Sequence, residues 1–274
     1  MLSCTLVTAP GAAPTRWSFL LHGILGSAQN LRLVARRLVA ERPEWGFVMP
    51  DLRNHGESHD QAAPHTVAAC AADLVEAAAA LGLPVEMAIG HSFGGKVALA
   101  WGAERERAGQ RVRAVWALDS PPGRPAMALA LQSEVVRVVA ALRAVPMPLP
   151  RRDAIVPLLV EMGFSMGLAQ WMTTNLRSGA EGFTWRFNLD AVEEMLRSYA
   201  TTDCWPWLES PDRRAEVHVV RAGRSERWEA AELARFGPAG VTLHLMPEAG
   251  HWVHVDDPDG LHRLLLGGLS AAHP

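Results

Sequence analysis

Gly90-His91-Ser92-Phe93-Gly94 reads G-x-S-x-G, with a further glycine at Gly95. A serine hydroxyl is a weak nucleophile, and it needs a base to take its proton and donors to hold the oxyanion it creates. The surroundings of Ser92 offer both openings. The apolar run 85–89 (VEMAI) reads as a buried strand, and 94–107 reads as a helix. A serine on so sharp a strand-to-helix turn has a strained backbone, and only small flanking residues let the chain pass close by. The turn lifts Oγ above the sheet edge. The helix start behind it offers backbone amides and a partial positive charge to a developing oxyanion. The chemistry this predicts is attack of Ser92 on an acyl carbon.

The base expected to serve Ser92 is His251, in Glu248-Ala249-Gly250-His251-Trp252-Val253-His254, between the last apolar strand (241–246) and the last helix (261–269). Gly250 gives this loop the freedom to swing an imidazole over the serine. His254 and His262 are its nearest competitors, and neither has the glycine-hinged position just past a strand. His91 adjoins Ser92 and cannot fold back onto its neighbour's Oγ. In Leu21-His22-Gly23-Ile24-Leu25-Gly26, Gly23 lets the chain bend so that the Ile24 amide meets the Phe93 amide at one oxyanion hole. Leu25 is the fallback if that loop is offset by one, and His22 is read as a residue that orients it. An acid should fix the tautomer of His251 and stabilise its imidazolium. Asp119, just beyond the strand 112–118, is preferred for this role, and Glu226, between Arg224 and Arg227, is the alternative.

The elements that must position these groups alternate along the chain. Strands are expected at 17–21, 47–50, 85–89, 112–118, 217–220 and 241–246, with helices at 28–40, 66–83, 94–107, 228–235 and 261–269. Such alternation specifies a mostly parallel α/β sheet with helices on both faces. It breaks between Pro121 and about Arg214. That stretch shows helical patterns at 126–145, 154–162, 167–176 and 189–199, no convincing strand, and prolines at 146, 148 and 150. An interruption of that size is more than a loop. The expected organisation is a core of 1–120 and 214–274 with a helical lid, 121–213, inserted over the carboxyl edge of the sheet. Met162, Phe164, Met166, Trp171, Met172, Phe183 and Trp185 either line an acyl pocket or form the lid's own core.

Composition narrows the classes of function. The 274 residues are 49% hydrophobic and 20% charged, with a net charge of −3 and no basic cluster beside an aromatic platform, so nucleic acid is not an expected partner. Cys4, Cys70 and Cys204 are widely spaced and form no C-x-x-C, which points to free thiols. No H-E-x-x-H or comparable ligand spacing supports a metal site. No apolar run reaches the length of a membrane span, and the first residues lack the pattern of a secretory signal. A cytoplasmic protein, monomeric or a homodimer, acting on a small-molecule acyl ester or thioester, is the expectation.

Taken together, LLHGILGSAQN (20–30), PDLRNHGES (50–58), GHSFGGK (90–96), LDSPP (118–122), WRFNLDAV (185–192) and AGHWVHVDDPDG (249–260) resemble the α/β-hydrolase superfamily. The likeness is to its small serine esterases and thioesterases, whose acid follows the sixth strand. It implies an α/β-hydrolase fold with the lid after strand 6, nucleophile, acid and histidine in that chain order, and no cofactor. In that subgroup the position matching Ser225 is not acidic and the aspartate matching Asp119 serves instead. The implied activity is hydrolysis of carboxylic esters or acyl thioesters. Dehalogenases and epoxide hydrolases of the fold use an aspartate nucleophile, so Ser92 argues against both. A C–C bond hydrolase, lactonase or acyltransferase would keep the same three residues, and a non-catalytic ligand-binding protein could retain the fold.

Overall fold

Apolar runs with no polar alternation have to be covered on both faces, and in this chain they make the middle of one sheet. The computed structural model describes residues 1–125 and 134–270. In chain order the sheet strands are β1 (Cys4–Val7), β2 (Arg16–Leu21), β3 (Trp45–Pro50), β4 (Val85–His91), β5 (Ala114–Leu118), β8 (Glu216–Ala222) and β9 (Thr242–Met246). They lie in the order β1-β3-β2-β4-β5-β8-β9. Every pairing is parallel except that of β1 with β3. The chain thus has the mostly parallel α/β sheet expected of it. β1 went unforeseen because four residues of half-exposed edge strand carry no periodic signal.

Period-two geometry sends alternate strand residues to opposite faces. Phe19, Leu21, Ala88, Val115, Ala117, Val217 and Val219 pack on the face covered by α2 (Val67–Leu81) and α3 (Phe93–Arg107). Leu20, Met87, Ile89, Trp116, Leu118 and Val220 pack on the other, beneath α1 (Arg32–Glu41) and α11 (Pro258–Ser270). Among the described residues no helix is long and apolar enough to cross a membrane, and Cys4, Cys70 and Cys204 are all unpaired thiols.

The stretch between β5 and β8 holds α4 (Glu134–Ala144), α5 (Ile155–Glu161), α6 (Met166–Thr173), α7 (Leu189–Thr201) and α8 (Trp205–Leu208). The helix expected over 126–145 is present as α4; its positions 126–133 lie outside the described residues. One difference stands out. A hairpin of β6 (Leu176–Gly179) and β7 (Gly182–Trp185) occurs where no strand was expected, because LRSG and GFTW are too short and too mixed to alternate. The insertion lies between β5 and β8 of this chain.

Lys96, on α3, is the only lysine in the sequence, and it is fully buried. Its Nζ donates to the carbonyls of Gly123 (2.7 Å), Tyr199 (3.0 Å) and Thr202 (3.3 Å) and lies 4.1 Å from the centre of the Tyr199 ring. An ammonium has three protons for these three acceptors, where a planar guanidinium would not fit. Glu232 accepts from the Gly123 amide (2.6 Å) and the Trp205 indole (3.1 Å). The start and end of the insertion are thereby fastened to the core at one point.

Candidate active site

Ser92 closes β4 and opens α3 with φ 52° and ψ −118°, a left-handed conformation costly for any residue with a side chain. Neighbouring packing imposes it. A Cβ on Gly90 would run into the Gly94 carbonyl, and one on Gly94 would stand 2.5 Å from the His22 carbonyl oxygen. These two glycines therefore let the elbow fold flat against the loop after β2. Asp119 likewise sits just past β5 at φ 44°, with its side chain fully buried. β4 and β5 are adjacent and in register, so both side chains emerge at the same sheet edge.

His251 stands between them. Its Nε2 lies 3.0 Å from Ser92 Oγ and its Nδ1 lies 2.7 Å from Asp119 Oδ2. A carboxylate only accepts, so Nδ1 carries the proton and Nε2 presents its lone pair to the serine. The other Asp119 oxygen accepts from the Trp228 indole (2.7 Å) and the Ala222 amide (3.1 Å). Burial pushes the Asp119 carboxyl up, but the bonds from His251 and Trp228 outweigh it and leave it below the ordinary aspartate value. Burial lowers the proton affinity of His251, and the pull of Asp119 opposes this without cancelling it. A neutral base poised on a serine is the result.

The loop carrying Ile24 is held by two histidines that trade partners. The Leu52 amide donates to His22 Nε2 (2.9 Å), and the Leu25 amide donates to His55 Nε2 (3.0 Å). Nδ1 of His22 donates to the Gly23 carbonyl, and Nδ1 of His55 to that of Arg53. Burial lowers both pKa values, that of His55 to about 3, so each stays a neutral acceptor. Leu25 has thus spent its amide. The amides of Ile24 and Phe93 form no hydrogen bond with another described residue, and both residues line the cleft over Ser92.

That cleft encloses about 550 Å³. Apolar side chains of the insertion, including Val135, Leu168, Trp171 and Leu196, wall one side, and Arg224, Glu226 and Arg227 rim the other. Of the seven aromatics and methionines singled out in the insertion, only Trp171 is among the lining residues. Met172 is fully buried in the hydrophobic core, while Met162 and Met166 face solvent. Glu226 is exposed at the rim and makes no hydrogen bond to His251. His262 pairs with Glu41 (2.6 Å) on the far side of the sheet, and His254 packs beneath the His251 loop. Among the described residues no group of three or more His, Cys, Asp or Glu is placed to hold a metal ion.

Sequence reasoning missed Trp228 and the trade between His22 and His55. An indole reaching an aspartate 109 positions earlier leaves no local signal, whereas the paired His-Gly turns after β2 and β3 were visible without a stated partnership.

A family model described as "Alpha/beta hydrolase family" matches residues 6–264. The chain is 28% identical to mouse (Mus musculus) "sn-1-specific diacylglycerol lipase ABHD11" over 87% of this chain and 76% of that protein. It is 29% identical to "Esterase YbfF" of Escherichia coli K12 over 90% of each. Among solved structures, a marine microorganism esterase superposes with a TM-score of 0.83 at 22% identity, covering 97% of this chain and 98% of that one.

Proposed function

The chain belongs to the alpha/beta hydrolase family and is a hydrolase; from that premise we propose that it cleaves carboxylic esters or acyl thioesters through an acyl-enzyme on Ser92. The observation that carries this reading is the continuous line from Asp119 through His251 to Ser92 Oγ, with links of 2.7 and 3.0 Å, at the floor of a partly apolar cleft. His251 Nε2 takes the Ser92 proton as Oγ attacks the acyl carbonyl. The Ile24 and Phe93 amides receive the oxyanion. His251 then returns the proton to the leaving oxygen or sulfur, whose bond to the acyl carbon breaks. Water, deprotonated by the same nitrogen, attacks the acyl-enzyme; the bond from Ser92 Oγ to the acyl carbon breaks, the proton returns to Oγ and the acid is freed. Asp119 holds the tautomer and balances the imidazolium.

The apolar wall of Val135, Leu168, Trp171 and Leu196 supports an aliphatic acyl group. Fatty acyl esters, the class named for the mouse relative, are one fit. We take residues 121–213 as a lid over a core of 1–120 and 214–274, since that insertion supplies the wall. A fluorophosphonate probe tests the nucleophile: the wild type should label and Ser92→Ala should not. Asp119→Asn should lower kcat on p-nitrophenyl butyrate by about ten-thousand-fold while Glu226→Gln has little effect. The opposite pattern would overturn Asp119 as the acid.

A further inference from the structure

His91 takes no part in the acyl-transfer scheme, yet its imidazole is buried beside Ser92 and reaches the base. Its Nε2 lies 2.7 Å from the carbonyl oxygen of His251, 160 positions away. A carbonyl only accepts, so Nε2 carries the proton and donates it, leaving a bare lone pair at Nδ1 on the side facing Gly23. The ring lies 4.7 Å from that of His251, centre to centre, 4.9 Å from His254 and 5.6 Å from Trp252. One side chain thus supports the whole turn 251–254. Burial keeps it neutral, with His251, His254 and Arg227 adding repulsion against a second proton.

We propose that His91 is a positioning residue for His251, tying the backbone of the base to the elbow that carries the nucleophile. The inference rests on the hydrolase reading above. Asp119 holds His251 only through one ring nitrogen, and a ring held at one atom pivots. The preceding residue is Gly250, whose amide is fixed by Asp256 (2.9 Å) but whose backbone resists rotation least. The bond from His91 to the His251 carbonyl supplies a second point of hold. Because His91 and Ser92 are consecutive, base and nucleophile are referred to the same rigid strand end. A misplacement of about 1 Å at such a site costs on the order of a hundredfold in rate.

The test compares His91→Phe, which fills the space without an N–H, with His91→Gln, whose amide nitrogen reaches near the Nε2 position. Both are assayed on p-nitrophenyl butyrate across pH, with rates counted per fluorophosphonate-titrated site so that misfolded protein is excluded. The Phe variant is expected to lose about tenfold or more in kcat with KM changed less than about twofold. Its acid limb of kcat/KM should move up toward the ordinary histidine value of about 6.5 as His251 regains water. The groups facing His251 that set this limb are Asp119, Arg227, Glu134 and His254, and all stay in place. The Gln variant should keep the wild-type limb and most of kcat. Equal loss in both variants, or an unmoved limb in the Phe variant, would mean the ring merely fills space, and the inference fails. A wild type that neither labels nor hydrolyses overturns the hydrolase reading and this inference with it. A wild type that does both leaves the variants to judge His91 alone.

Discussion

A base works only while it lacks a proton, so on the proposed scheme the proton affinity of His251 should set the acid limit of the reaction. Burial lowers that affinity below 6.5, and Asp119 recovers part of it. The sign follows directly. The imidazole stays neutral to a lower pH than a free histidine, and kcat/KM should fall with acid through a midpoint under 6.5. A rate profile on p-nitrophenyl butyrate checks this; a midpoint above 7 would contradict the buried, neutral base. At this scale Ser92 and His251 were legible because their neighbours are local: a glycine-flanked elbow and a glycine-hinged loop. Asp119 was legible by its place at a strand tip. Trp228 was not, since its bond to Asp119 depends on how β5, β8 and the turn after β8 meet in space.

Elements hold these residues through a few polar fastenings, of which Lys96 is the most exacting. Its ammonium serves three carbonyls at the two ends of the insertion. Lys96→Met keeps the length of the side chain and strands the three acceptors, a loss of about 1–3 kcal/mol for such a buried unmade bond. The loss should appear locally. Hydrogen exchange is expected to quicken in α7 and α8 while the strands β4 and β5 keep their protection. Uniform exchange in both regions would show that the fastening is redundant. The helices α4 to α7 of the insertion were legible from their apolar period, but the short α8 and the β6–β7 hairpin were not. The hairpin's Gly179 and Gly182 sit in segments too short to show alternation, and its pairing with Leu149 is a tertiary contact.

Across the whole molecule, the parallel core was readable because two-sided burial writes itself as uninterrupted apolar runs such as AVWAL. The order of the strands was not read from those runs, and the antiparallel β1 was invisible to them. What the runs could not convey is that one hydrophobic cluster passes from the sheet into the insertion, joining Val97 and Trp101 to Leu159, Met172 and Met195. Insertion and sheet therefore share their interior, and the wall of the cleft is as firm as the fastening at its base.

A chain with one lysine, and that one enclosed, offers no side-chain amine to its surroundings. All other basic stems end in guanidinium groups, which hold their protons and resist acylation. If the proposed acyl-transfer chemistry holds, the protein is thereby shielded from decorating itself, the α-amino group aside. Burial brings the Lys96 amine down to about 8, a shift that is lost once the amine is uncovered and regains water. An N-hydroxysuccinimide ester at pH 8.5 should acylate Lys96 only slowly in the folded protein and promptly in urea. The slow rate of labelling under native conditions would then measure, at a single atom, how often the insertion lifts from the core.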